Sequence, residues 1–412
     1  MKICIAGGGI IGLSCAYYLQ KAGHDVTIIE KGSGDNNCSF GNAGYISPSH
    51  FIPLASPGIV AQGLRWMLSS TSPFYIQPRL STDLLRWGWK FYRSASEKTV
   101  QKNAPHLNNI LQLSRTLMID MDKELGGGFD LKQDGCFMLC RTETSFKHEI
   151  EVSNEAGKMG IDAPVMSKAE VQDMEPEVEL NISGGVFFPI DCHVHPVHMM
   201  ERLYSHLRMA GVKILHNQTV KAFEKENKTV HAVITDKERI QCDECVIAPG
   251  SWLPQVLSLL GIDILLQPGK GYSTTYRNVP RNLRHPAILV DDRAAMTPLD
   301  RDLRVGGTME LSGLNNTIRM NRVQPIIKAA NTYYTNLNLD VPAPEAVWSG
   351  LRPVSPDGLP YIGKHSSYDN ITIAGGHAML GVSLAAATGQ LIKQIIQHEK
   401  PEIPIEAFRV ER

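Results

Sequence analysis

Two glycine-rich turns and one arginine carry the chemistry open to this chain of 412 residues. The first turn sets Gly7, Gly9 and Gly12 in the spacing G-x-G-x-x-G, with Glu30 about 20 residues further on. Each part suits a dinucleotide. Gly7 permits a tight turn, Gly9 lets the backbone approach a pyrophosphate, and Gly12 lets a helix lie close to a strand. The free N–H groups that open that helix, at Ile10 and Ile11, favour phosphate charge, and Glu30 can accept hydrogen bonds from a ribose. The second turn runs from Gly375 to Gly381 and holds Gly376, His377, Met379 and Leu380, with a helix starting at about Val382. A helix start here sets partial positive charge against any negative charge that develops on a ligand. Shortly before it stands Gly350, Leu351, Arg352, Pro353, and a guanidinium grips a carboxylate through two parallel bonds. The plainer alternatives are turns that need glycine for geometry alone and an arginine that bonds loop carbonyls.

Strands and helices of the right kind flank these residues. Ile3 to Ala6 is a short apolar strand, Ile10 to Ala22 a helix, and Val26 to Ile29 a second strand that ends on Glu30. Cys245 to Ala248 is a strand running into Pro249, Gly250, Ser251 and Trp252. Asn370 to Ala374 is another, followed by the second glycine turn and a helix to about Gln397. Between these lie segments of another character. Residues 60 to 125 read as helical, Phe129 to Leu131 and Cys136 to Cys140 as a strand pair across the turn Gln133, Asp134, Gly135, and Gly184 to Pro189 as a strand. From Gln267 to about Ala346, short alternating strands and a helix at Val323 to Leu337 suggest an antiparallel sheet with its own layer. The expected fold class is α/β: a discontinuous Rossmann-type domain from residues 1–58, 190–265 and 346–412, plus an α+β substrate domain from 59–189 and 266–345.

Composition narrows the partners. With 41 basic and 42 acidic side chains, nothing argues for nucleic acid. The N-terminus enters the first strand directly and no apolar run reaches membrane-spanning length, so a cytoplasmic location is expected. Eight cysteines are scattered, and only Cys242 and Cys245 form a C-x-x-C. Three residues apart at the head of a strand, they should face opposite ways, and they read as structural. Cys192, His193, Val194, His195 has only His198 as a further nearby ligand, so no metal site is expected. Residues 64 to 93 gather Trp66, Trp87 and Trp89 among Arg65, Arg79, Arg86, Lys90 and Arg93. Such a segment can lie on the inner face of a membrane or meet an electron-accepting partner; the plainer reading is an aromatic helix pair packed over another domain.

The string SFGNAGYISP (Ser39 to Pro48), coming after the first glycine turn and Glu30, resembles the matching segment of the FAD-dependent D-amino-acid oxidase and dehydrogenase superfamily, closest to its bacterial D-amino-acid dehydrogenase small-subunit branch. The pattern D-x-H-V-x-P (Asp191, His193, Val194, Pro196), the turn at Gly250 and the C-terminal G-L-R-P and glycine turn follow in the order expected for it, so the resemblance spans nearly the whole chain. It implies FAD as the dinucleotide. Gly7, Gly9, Gly12, Glu30 and Lys31 would hold its ADP half, with Val220 beside adenine. Asn42, Ala43, Gly44, Pro249, Gly250, Trp252, Gly350, Gly376, His377, Leu380, Gly381 and Val382 would lie along the flavin. Arg352 would anchor a substrate carboxylate, with Tyr272 as a second catalytic hydrogen-bond donor and His50, Tyr45 and Met379 as further substrate contacts.

The chemistry so implied is transfer of the substrate Cα hydrogen as hydride to the flavin, leaving an imine that water hydrolyses to a 2-oxo acid. The substrate would be a D-amino or imino acid, such as D-proline or its hydroxylated form, with electrons passed to a quinone or protein carrier. Relatives of the glycine oxidase type have an arginine where this chain has Met379, so the pocket here is more apolar. No cysteine lies beyond Cys245 to attach a flavin as in sarcosine oxidases, and non-covalent FAD is expected. The alternatives are an oxygen-using oxidase of the sarcosine or glycine type and, from another class, a non-catalytic flavoprotein subunit or electron-transfer partner.

Overall fold

The structure, a computed structural model, describes residues 1–67 and 72–412, and of Leu64 and Met67 the backbone alone. Leu68, with the side chains of Leu64 and Met67, carried part of the expected apolar spacing and lies outside what is described. Six strands form the first sheet, in the order Tyr361–Lys364, Ile371–Gly375, Glu244–Ile247, Lys2–Ala6, Asp25–Ile29, Lys213–Leu215. All neighbours are parallel except the first pair. Both faces are covered, which is why its strands are apolar runs and not alternating ones. Ile10–Lys21 and Gly381–Ile396 pack on each other, and Gly389 makes that contact close, since a Cβ there would lie 2.5 Å from the Ser14 carbonyl oxygen. Both glycine turns open at the carboxyl ends of parallel strands, where ligands bind in such sheets.

The second sheet has nine strands. Eight run in the order Trp348–Val354, Gln267–Tyr276, Asp302–Leu311, Ala294–Leu299, Ala287–Leu289, Cys136–Cys140, Gly184–Phe188, Val165–Ser167, and Phe74–Ile76 pairs with Asp302–Leu311. One face carries the helix Met320–Tyr333 over a core of Phe137, Leu289, Val305, Ile327 and Tyr333. The other face turns toward the first sheet. Tyr45–Ile46 and Cys192–His193 pair between the two layers. Trp348–Val354, expected with the cofactor domain, belongs to this second sheet.

Several expectations need correction. Phe129–Leu131 is not paired with Cys136–Cys140: the Phe129 N–H is held by Asp122 Oδ1 at 3.0 Å, and Cys136–Cys140 pairs with Ala287–Leu289 and Gly184–Phe188. The Gln133–Gly135 sequence is that of a hairpin turn, but the long-range partners compete better. Residues 60 to 125 are not one helical stretch. Ile59–Met67, Thr82–Ser94 and Glu97–Glu124 are separate helices, and the strand Phe74–Ile76 lies between the first two. The helix expected over 323–337 is Met320–Tyr333. Cys242 precedes its strand, so strand alternation does not govern it; its thiol meets that of Cys245, with Cys4 in the same cluster. All eight cysteines are free. Among the described residues no helix is long and apolar enough to cross a membrane.

Candidate active site

A cavity of about 1540 Å³ runs between the sheets. At one end the first glycine turn forms a cradle. Gly7 has φ +117°, and a Cβ on it would lie 2.3 Å from the Ala248 carbonyl oxygen. A Cβ on Gly12 would lie 1.9 Å from the Gly7 carbonyl oxygen, so strand and helix touch through bare backbone. Gly9 differs. Its φ of −74° suits any residue, and a Cβ there would meet only Ser39 Oγ, at 3.6 Å, on the cavity side. Gly9 therefore leaves room for a ligand, whereas Gly7 and Gly12 serve the fold.

Glu30 accepts the Gly8 N–H on Oε2 at 2.7 Å and the Gly32 N–H on Oε1 at 2.8 Å. Each oxygen keeps a lone pair, so the carboxylate that shapes the turn is still free to take ribose hydroxyls. The Ser39 hydroxyl oxygen accepts the Ile10 N–H at 3.0 Å, a role the sequence did not signal. Lys31 sits over the Trp252 ring at 5.5 Å, and both border the cavity, as do Ile11, Val220, Pro249 and Gly250.

The middle of the cavity is walled by Asn42, Ala43, Tyr45 and Gly350, and by the second turn through His377, Met379, Leu380, Gly381 and Val382. Gly44 and Gly376 lie behind this wall: a Cβ on Gly44 would meet the Val194 carbonyl oxygen at 2.3 Å, and one on Gly376 the Tyr361 ring at 2.8 Å. The helix Gly381–Ile396 has no side-chain cap, and its first residues, Gly381, Val382 and Ser383, border the cavity. His377 bonds Thr388 Oγ1 through Nε2 at 2.9 Å, and burial pushes its pKa down to about 3, so it is a neutral structural residue. Arg304, unsignalled by any motif, holds the loop before Tyr45 in place: Nη1 donates to the carbonyls of Phe40 (3.1 Å) and Asn42 (2.7 Å). The Tyr45 hydroxyl is committed to the carbonyls of Met296 (2.8 Å) and Ala287 (3.0 Å), which ties the loop to the second sheet.

Arg352 is the one arginine of the two signature strings and stands at the centre. Nη1 donates to the Thr308 carbonyl at 2.5 Å. No carboxylate pairs with it among the described residues, and burial lowers its pKa to about 10, which leaves it charged at neutral pH. Arg352 borders the cavity. Desolvation without a partner makes it a strong anion site.

Strand register decides the standing of Tyr272. Gly269 pairs with Arg352 and Gly271 with Gly350, and a Cβ on Gly271 would lie 2.2 Å from Arg352 Nη1. Odd positions of that strand therefore face Arg352, and Tyr272 faces the other way. Although Tyr272 borders the cavity, its hydroxyl donates to Glu310 Oε2 at 2.9 Å in a buried group with Lys270. The resemblance put Tyr272 beside the substrate; its hydroxyl lies on the opposite face. Met379 is 39% exposed on the cavity side, so the second turn contributes no guanidinium.

Comparison with known proteins agrees with this geometry. The family model of FAD-dependent oxidoreductases termed DAO matches residues 2–395. A D-amino acid dehydrogenase of Helicobacter pylori is 33% identical over 96% of this chain and 95% of its own. One from Bradyrhizobium diazoefficiens is 29% identical over 100% and 99%. Among solved structures, glycine oxidase from Geobacillus kaustophilus covers 100% of this chain and 98% of its own, with a TM-score of 0.81 at 21% identity. L-proline dehydrogenase from P. horikoshii covers 100% and 97%, with a TM-score of 0.74, also at 21%. The cradle at Gly7 to Gly12, the open side of Gly9 and the uncapped helix at Gly381 fit FAD, and the chain belongs to the DAO family of FAD-dependent oxidoreductases, as an enzyme acting on amino acids.

Proposed function

We propose that this enzyme is a D-amino-acid dehydrogenase, taking D-amino or imino acids such as D-proline or its hydroxylated form and passing electrons to a membrane quinone. The observation that carries the reading is the unpaired guanidinium of Arg352 in the cavity between the two glycine turns. Bound FAD supplies the acceptor for the hydride from the substrate Cα. The chain does the rest. Arg352 binds the carboxylate through the part of its fork that Thr308 leaves open, which turns the Cα toward the flavin edge. The helix start at Gly381, which borders the cavity, would stabilise negative charge developing on a flavin held there. The relatives' name, D-amino acid dehydrogenase, supports a D over an L substrate, and the absence of a cysteine beyond Cys245 supports FAD held without a covalent bond. Segments 1–58, 190–265 and 355–412 make the FAD-binding part and the remainder the substrate part.

The electron acceptor rests on the surface of the helix Thr82–Ser94. Trp87 is buried, with Nε1 donating to the Val354 carbonyl at 2.9 Å, and its ring stacks on Phe91. On the outer side Leu85, Trp89 and Tyr92 are exposed beside Arg86, Lys90 and Arg93, a face suited to anionic lipid. Substrate-reduced enzyme should be reoxidised by a quinone carried in anionic vesicles about tenfold or more faster than by dissolved oxygen. Leu85→Glu with Trp89→Glu should remove the vesicle advantage while a water-soluble quinone still works. Equal or faster reoxidation by oxygen favours the amine-oxidase alternative.

A further inference from the structure

A second polar array borders the cavity; the resemblance implied a substrate contact for His50 but gave it no chemical role, and Ser49 and Asp191 have no part in the proposed function. The short 3-10 turn Pro48–His50 sets Ser49 and His50 against Asp191, the aspartate of the D-x-H-V-x-P string. Asp191 is fully buried. Its Oδ1 accepts the Ser49 N–H at 3.0 Å and its Oδ2 accepts the Ser49 hydroxyl at 2.5 Å. Ser49 Oγ lies 3.0 Å from Nδ1 of His50. His50 borders the cavity, and its ring has no other hydrogen-bond partner among the described residues. A hydroxyl has a single proton to give. With Asp191 ionised, that proton points at the carboxylate, so Ser49 Oγ accepts from Nδ1–H. Nε2 is then an unprotonated lone pair.

We propose that His50 accepts the substrate's amino N–H on Nε2, and that Ser49 and Asp191 are positioning residues that fix its tautomer. The inference rests on Arg352 as the carboxylate anchor. The guanidinium reaches across Gly271 to Thr308, over the strand Asp302–Leu311. Arg293, at the head of the adjoining strand, has its carbonyl oxygen 3.2 Å from the Cβ position of Gly307 and is the charged neighbour of His50. His50, Arg293 and Arg352 all border the same cavity, and the amino group of an amino acid lies next to its carboxylate. A neutral acceptor there orients the amine so that its own lone pair assists departure of the hydride.

The array is also a pH switch. Burial, and next the Arg293 guanidinium, push the His50 pKa down to about 4, so the ring is neutral through the working range. His148 and Glu149, from the helix Glu143–Lys158, border the same part of the cavity. Asp191 faces Arg115 from the helix Glu97–Glu124 and the thiols of Cys136 and Cys192; burial raises its pKa to about 7. Below that pH the carboxyl takes up one proton and donates it to Ser49 Oγ, and the Ser49 hydroxyl turns to Nδ1. The ring proton then sits on Nε2, still on a neutral imidazole, and the acceptor has become a donor facing the substrate N–H.

The test is the limiting rate of anaerobic flavin reduction from about pH 5.5 to about pH 9.5 in the FAD-loaded enzyme, using two substrates whose ammonium groups titrate differently. The wild type should lose about fivefold or more below a midpoint near pH 7 that is the same for both substrates. Ser49→Ala should abolish that limb. Asp191→Asn, whose amide donates to Ser49 at every pH, should remain at the low-pH rate throughout. Independently of turnover, 15N spectra should show His50 Nε2 bare at about pH 8.5 and Nδ1 bare at about pH 5.5. A limb that follows the substrate's ammonium group, a limb that survives in Ser49→Ala, or a bare Nδ1 at high pH overturns the inference. If no amino acid reduces the flavin, it is the proposed function that fails, and the 15N spectra still decide the tautomer.

Discussion

Arg352→Ala is expected to keep FAD bound and to lower kcat/KM for the amino-acid substrate about 10²-fold. Two charge-assisted hydrogen bonds to a carboxylate in a desolvated site are worth roughly 3 kcal/mol together, or about two powers of ten. The loss should appear mainly in substrate binding, because the carboxylate is gripped alike before and during reaction. Arg352→Lys keeps the charge and loses the fork, and about a tenfold loss is expected of it. The Thr308 carbonyl, left without its 2.5 Å donor, adds a modest loss of stability that a melting curve reports separately. Stopped-flow titration of flavin absorbance with substrate measures the binding effect directly. Unchanged kinetics would remove Arg352 from the site.

The first glycine turn makes a sharper pair. Gly9→Ala is expected to leave the apoprotein's melting temperature almost unchanged and to weaken FAD binding by about 10²-fold. Its φ of −74° is ordinary for alanine, and the new methyl meets nothing closer than 3.6 Å in the chain, so the fold does not resist it. The space the methyl fills is the side from which a pyrophosphate must approach, and overpacking of this kind costs about 1–3 kcal/mol. Gly12→Ala should behave in the opposite way. Its methyl would lie 1.9 Å from the Gly7 carbonyl oxygen, so helix and strand must part, and the apoprotein itself should melt earlier. Flavin-to-protein absorbance ratios and thermal melts of the apoproteins separate the two. If Gly9→Ala binds FAD normally, the turn does not hold the cofactor.

Residue types revealed the cofactor and not the arrangement around it. Gly7, Gly9 and Gly12 were legible because close backbone approach demands glycine, and Arg352 stood out because the carboxylate binding proposed for it demands a guanidinium, whatever the tertiary context. The position of Tyr272 was not, since its face depends on the pairing of Gly269 with Arg352 across about eighty residues of chain, which no local spacing encodes. The second sheet was only partly legible for the same reason. Its nine strands come from scattered segments, and the strand Cys136–Cys140 finds its partners at Gly184–Phe188 and Ala287–Leu289, not at the nearby Phe129. Arg304 was missed because a buried arginine that bonds carbonyls has no sequence motif. The tryptophan-rich segment read as one patch, yet Trp87 turns inward to Val354 while Trp89 stays 62% exposed. Burial of one and exposure of the other follow from a helix face that only the neighbouring Val354 and Leu265 define.

The central claim is that Arg352 and the flavin together select and oxidise a D-amino acid. Anaerobic addition of matched D- and L-amino acids, with proline, hydroxyproline and N-methylglycine in the panel, tests it through bleaching of the oxidised flavin band. Bleaching by the D-forms, with D-proline or its hydroxylated form among the best, is the expected result. Bleaching by L-forms or N-methylglycine alone would contradict the account, and so would a flavin that no member of the panel reduces.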